Sequence, residues 1–167
     1  MPIIIMEECP LFNRFVFTLI FCLFLNIEGN ASMVSFFLIE TGLPENASVN
    51  QHSMQWENAF MDVFFDAGYI VSNAPISRAE TKPIGDLLAA ACDLDEVKKW
   101  GIDYLFIAHL DYNEELRIPE GISFLIYKVS SNERLFENQI AGKSYRSTRE
   151  EYDDIKSIIR GLVPHIR

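Results

Sequence analysis

The sequence predicts an α/β domain of the α+β, two-layer kind: a mixed sheet of about five strands in the order β-α-β-α-β-β-β-α, with helices packed on it. Three observations carry this. Trp56, Phe60, Val63, Phe64 and Ala67, and later Tyr152, Ile155, Ile159, Leu162 and Ile166, each fall on one face at helical spacing. Met33–Thr41 and Asp103–Tyr112 are strand-length runs rich in β-branched, aromatic and aliphatic residues. Between two further apolar runs, Ser130-Ser131-Asn132-Glu133 is short and turn-forming, which makes those runs an antiparallel hairpin.

Each element has its own local signal. Met33–Thr41 (MVSFFLIET) is closed by Gly42 and Pro44. In the helix that follows, Ser48 and Gln51 have the S-x-x-Q spacing of a capping box, where each side chain satisfies an amide at the other residue. Gly68 is placed to end that helix in a left-handed cap. Tyr69–Ser72 is a short strand, and Asn73–Gly85 is a loop containing Pro75 and Pro83. Leu87, Ala90, Ala91, Leu94 and Val97 then predict a second helix, from its cap Asp86 to Lys99, closed by Trp100-Gly101. Asp103–Tyr112 (DYLFIAHLDY) is almost continuously apolar, as a covered central strand should be. Ile122–Val129 and Leu135–Tyr145 are the two strands of the hairpin. The last helix opens on overlapping boxes, Ser147/Glu150 and Thr148/Glu151.

Ahead of this domain lies an export signal. Phe15–Leu25 (FVFTLIFCLFL) has Thr18 as its only polar residue, too short for a spanning helix but right for the apolar core of a secretory signal. Arg14 precedes it, and Gly29 and Ala31 put small residues at the −3 and −1 positions of a cleavage site. The expectation is a signal peptide over residues 1–31, cleaved between Ala31 and Ser32, and a single domain over 32–167 in the periplasm. Glu7 and Glu8 fit this poorly, since they offset the positive charge such a segment carries. Lipidation at Cys22 is disfavoured because Phe21, directly before it, is large. Cleavage would remove Arg14, Glu7, Glu8 and Glu28, turning 14 basic and 24 acidic residues into 13 and 21. It would also leave Cys92 as the one cysteine, so no internal disulfide could support the fold; its apolar surroundings (LLAAACDL) make it a buried structural thiol.

Composition narrows the function. The net charge of −10 argues against a nucleic-acid partner, whose phosphates select Lys and Arg, and against electrostatic attachment to anionic lipids. No integral membrane span is expected after cleavage. There is no G-x-G-x-x-G, Walker loop, G-x-S-x-G, C-x-x-C or calcium loop, so no cofactor is implied. His109 and Asp111, one residue apart in a strand, should share a face and could serve a ligand or a general base. No third ligand or nucleophile accompanies them, so neither a catalytic residue nor a metal site is assigned, and a histidine bonded to a neighbouring carboxylate is the plainer reading. His52 and His165, near helix ends, read as surface residues, and the acidic run Glu150, Glu151, Asp153, Asp154 as an exposed helical face with its first turn. Two loops are better candidates for recognition. Asn73–Gly85 carries Arg78 and Lys82, and Asn113–Gly121 carries Glu114, Glu115 and Arg117.

The run LDEVKKWGIDYLFIAHL (94–110) resembles the helix-to-strand junction of the TolB amino-terminal domain, where a helix ending in Trp-Gly leads through an acidic residue into an apolar strand. FLIYKVSSNERLFENQIAGKSY resembles the hairpin of that domain, and STREEYDDIKSIIRGLVPHI its closing helix. Similar architecture occurs in curli-secretion (CsgG-type) domains and in LpoB-type activators of penicillin-binding proteins. The resemblance implies a non-catalytic module that binds an envelope protein and supports an outer-membrane, secretion or cell-wall complex. The alternatives are a small-ligand binder or small enzyme using His109 and Asp111, and a structural subunit of a homo-oligomeric ring.

Overall fold

A computed structural model describes residues 31–44, 50–79, 92–113 and 118–166. The elements are β1 (Met33–Thr41), α1 (Gln51–Asp66), β2 (Ile70–Asn73), β3 (Ser77–Arg78), α2 (Leu94–Lys99), β4 (Tyr104–Tyr112), β5 (Pro119–Lys128), β6 (Glu133–Ala141) and α3 (Thr148–Leu162). A 3₁₀ turn, Val163–Ile166, follows α3. The sheet runs β2-β1-β4-β5-β6, with β3 also pairing β1. β2, β3 and β4 are all parallel to β1, while β5 and β6 are antiparallel additions. This is the mixed α/β sheet with helices packed on it that the pattern predicts, with a sixth strand.

Alternation along the strands sorts the core onto two faces. Val34, Phe36 and Leu38 of β1 and Phe106, Ala108 and Leu110 of β4 pack with Trp56, Phe60, Phe64, Ile155 and Ile159 of α1 and α3. Phe60 organises this layer, stacking on Phe36 at 4.1 Å and on Phe64 at 4.4 Å between ring centres. Ile39, Leu105, Ile107, Leu125 and Tyr127 leave the sheet on the other face, where Val97 and Leu94 of α2 meet them. β4 is buried from Leu105 to Leu110, which explains why its sequence hardly alternates.

Several boundaries differ from expectation, each for a local reason. α1 starts at Gln51 with Asn50 as N-cap, its side chain accepting the His52 amide at 2.9 Å, so the helix begins two residues later than a cap at Ser48 would place it. Ser48 itself lies outside the described residues. Ala67 is an exposed C-cap, and Ala59 takes the place expected of it on the buried stripe. Gly68 adopts the left-handed conformation as predicted, with φ +90°. The expected loop after β2 contains β3, two residues that pair with Ile39 and Glu40. A continuous helix from Asp86 to Lys99 is ruled out: Cys92 and Asp93 are not helical, and Asp93 caps α2 by accepting the Asp95 amide. Residues 80–91 lie outside the described residues, as does the export segment 1–30.

At the hairpin, Asn132 supplies a left-handed residue (φ 52°), a conformation asparagine tolerates better than most side chains. β5 begins three residues earlier than predicted, and β6 ends at Ala141, not Tyr145. There Gly142 sits so close to β5 that a Cβ would lie 1.5 Å from the Pro119 carbonyl oxygen. On α3 half of the first box forms: Ser147 caps the helix, its hydroxyl accepting the Glu150 amide at 3.2 Å, while the Glu150 carboxylate accepts the Arg146 amide at 3.0 Å, one residue ahead of the amide a capping box would use.

Candidate functional site

The carboxyl ends of the parallel strands, the usual place for a binding crevice in such sheets, hold the polar side chains of interest. β1 and β4 run in register there, pairing Ile39 with His109 and Thr41 with Asp111. Their two-residue spacing puts Thr41, His109 and Asp111 on one face. The Thr41 hydroxyl stands 2.9 Å from His109 Nε2 and donates to Asp111 Oδ1 at 3.2 Å. One hydroxyl has one proton. With that proton on Asp111, Thr41 accepts from the Nε2–H of His109. That polarity is the reverse of an activated nucleophile, in which the imidazole would accept the hydroxyl proton. Thr41 and His109 are both buried. The arrangement positions a carboxylate and an imidazole around one hydroxyl.

On the helix-covered face a second cluster joins five elements. Glu40 is 1% exposed, and its carboxylate receives Arg78 Nε at 2.9 Å and the Asn50 backbone amide at 3.4 Å. Arg78 also reaches the Pro44 carbonyl through Nη1 at 3.4 Å. Next to it the Tyr112 hydroxyl and Ser53 Oγ are 2.7 Å apart, and His52 Nδ1 meets the carboxylate of Glu151. Burial pushes the Tyr112 phenol well above its ordinary range; the Ser53 bond offsets part of this, and the Glu40 and Glu151 charges add to it. Both carboxylates lie beside helix amino termini, Glu40 next to α1 and Glu151 in the first turn of α3, where backbone amides favour negative charge.

The predicted site residues therefore divide. His109 and Asp111 are brought together, through Thr41. Arg78 is placed in β3 and engaged with Glu40. Lys82, Glu114, Glu115 and Arg117 lie outside the described residues. Two expectations are corrected. His52 is a partner of a buried acid, not a plain surface residue, and Glu151 is buried within the acidic run because the first turn of α3 faces α1. Cys92 is half-buried, and burial pushes its thiol up to about 11, with the Asp93 charge acting the same way. His165 is exposed and lies against the Phe136 ring, 4.1 Å between centres. Thr41, Glu40, Ser53 and Tyr112 were not singled out from sequence. Their signal, a polar residue interrupting an apolar strand or helix stripe, is present at each.

Two surface depressions lie elsewhere. One of about 510 Å³ is lined by Lys143, Ser147, Arg149, Glu150, Asp153 and Asp154. The other, about 300 Å³, lies between the carboxyl ends of α1 and α3. Among the described residues no three His, Cys, Asp or Glu side chains converge as metal ligands, and no helix is long and apolar enough to cross a membrane.

No protein-family model matches the chain, and no curated protein sequence does. Among solved structures it is similar to the PelC dodecamer from Paraburkholderia phytofirmans, with 15% identity, a TM-score of 0.48, and coverage of 81% of this chain and 87% of that one. It is similar to TolB from Acinetobacter baumannii at 10% identity and TM-score 0.44, over 80% of this chain and 29% of that one. The LpoB C-terminal domain from Salmonella enterica is similar at 10% identity and TM-score 0.43, over 74% and 92%. TolB and LpoB are both names that the sequence pattern resembles.

Proposed function

We propose that this chain is an exported, non-catalytic module of the periplasm that binds another envelope protein and supports an outer-membrane, secretion or cell-wall complex. Export is supported by the apolar run Phe15–Leu25 with Gly29 and Ala31 behind it. The observation that carries protein binding is the outer edge of the sheet. β6, nine residues long, is the last strand of the sheet order, and its side chains are largely exposed. The Gln139 backbone amide faces away from β5 and donates to its neighbour's Asn138 Oδ1 at 2.9 Å. An extended partner segment could pair along this edge, with main-chain hydrogen bonds supplying affinity. Glu133, Arg134 and Glu137 charge the end near the turn, so pairing is favoured at Asn138–Ala141.

The test is site-specific photo-crosslinking in the native envelope, with the probe at Gln139 and, as a control, at Asp153 on α3. A defined crosslinked partner from Gln139 alone, lost when Ala141→Pro is added at the next outward-facing amide, is the expected result. Proline at an outward-facing edge position removes an amide that β5 does not use, so the fold should tolerate it. Equal or no crosslinking from the two positions would sink the reading.

The convergence of His109 and Asp111 on Thr41 favours a second reading, a small-ligand site on the opposite face. It requires a ligand that raises the melting temperature of the wild-type protein and fails to do so for Asp111→Ala.

A further inference from the structure

The open edge of β6 has two alternations, one in its backbone and one in its side chains. Gly142 donates its amide to the Glu120 carbonyl at 2.8 Å, and Ala141 pairs with Gly121. Bonded and unbonded pairs alternate in an antiparallel ladder, so Ile140, Asn138 and Phe136 turn their backbone groups to β5. Ala141, Gln139 and Glu137 turn theirs outward. Side chains alternate with the same period across the two faces of the sheet. Phe136 and Ile140 are half-buried and pack against the core layer shared with α1 and α3, and the His165 ring lies on Phe136. Glu137, Gln139 and Ala141 are exposed on the opposite face. Toward the turn the register shifts at Ile126/Tyr127, so the regular edge runs from Phe136 to Ala141.

These alternations dictate what an arriving strand must carry. Its residues bonded to Glu137, Gln139 and Ala141 point away from α1 and α3. Those opposite Phe136, Asn138 and Ile140 form the closer, unbonded pairs, where side chains meet on the helix-covered face. Two apolar side chains there, four residues apart, would extend the burial of Phe136 and Ile140, with a polar residue between them opposite the exposed Asn138. On the other face, the residue opposite Glu137 meets a carboxylate that is 60% exposed. Its ion pair with Arg134, at 2.8 Å, is itself on the surface and therefore weak. A lysine or arginine complements that carboxylate and the net charge of −10. We propose that β6 selects an extended, antiparallel segment of the pattern apolar–x–polar–basic–apolar, read from the residue opposite Ile140 to the one opposite Phe136. This rests on the reading of β6 as a docking edge and adds the chemistry of the partner segment.

The test uses the wild-type chain and two fluorescein-labelled peptides of one composition. The first, Thr-Leu-Thr-Thr-Lys-Leu-Thr, carries the pattern. The second, Thr-Thr-Leu-Leu-Lys-Thr-Thr, has its leucines adjacent, so only one of them can reach the helix-covered face. The expected result is binding of the first at least about tenfold tighter than of the second, with the Glu137 and Ala141 amides gaining protection from hydrogen exchange. Replacing the peptide lysine by glutamate should weaken binding about two- to fivefold, and Glu137→Lys should reverse that preference. Equal binding of the two leucine arrangements overturns the proposal, as does protection that appears elsewhere on the domain. Protection of Glu137 and Ala141 that appears without peptide and grows with protein concentration overturns it in favour of a second copy. Failure of both peptides while Gln139 still crosslinks a defined partner also overturns it, and leaves the docking edge standing.

Discussion

Glu40 and Thr41 are neighbours at the end of β1, yet they leave the sheet on opposite faces and join clusters built in different ways. Glu40 enters a charged cluster assembled from β1, β3, β4, α1 and α3, in which Arg78 and His52 meet two buried carboxylates. Thr41 enters a cluster whose described hydrogen bonds link two strands, where one hydroxyl serves His109 and Asp111. The first holds separate elements together, because each buried acid is matched by a group from another part of the chain. The second trims a strand end. Polar groups of similar depth in one sheet can thus differ in how much of the fold depends on them.

The sharpest way to break the comparison is Arg78→Ala. It leaves Glu40 buried without its cation, so a loss of about 3–5 kcal/mol is expected from chemical denaturation. Thr41→Val on the other face removes one hydroxyl shared by two partners and should cost about 1–3 kcal/mol, with Thr41→Ser recovering most of it. If the two losses are equal, the distinction between the clusters is wrong. Asn50→Ala removes the α1 cap, which also presents its amide to Glu40, and about 1 kcal/mol is expected.

The smallest effect concerns surface carboxylates that join helices or flank them. The Tyr152 hydroxyl and the Lys156 ammonium hold Asp62 below the usual carboxylate range, and the Tyr145 hydroxyl and Lys143 do the same for Asp154. A depressed folded value means that the stabilisation is present above the ordinary carboxylate range and is lost as the pH falls through the depressed one. Asp62 is half exposed, so the contribution is small. Stability profiles of wild type and Asp62→Asn should differ slightly near neutrality and converge in acid.

How much of this was legible in the sequence depended on distance along the chain. The β4 strand and the β5–β6 hairpin could be read because their signals are local: a run of covered apolar residues, and an asparagine able to turn left-handed. His109 and Asp111 were found together for the same reason, two residues apart in one strand. Their link, Thr41, is 68 residues from His109, and Glu40 is 38 from Arg78, so only the sheet register joins them. Periodicity also misled at α2, since Leu87 and Ala90 are in phase with Leu94 and Val97, and phase alone does not register the interruption at Asp93. β3 is two residues long and has no period to read.

One small feature of the edge has a kinetic meaning. Because Asn138 already satisfies the outward amide of Gln139, an arriving strand would exchange one hydrogen bond for another at that position, so its gain there would be far less than a full bond. On the proposed reading, such an edge would favour partners that also bring side-chain contacts, and it would let them leave again quickly. Removing the carboxamide with Asn138→Ala would expose the amide to any passing strand, trading selectivity for adhesion.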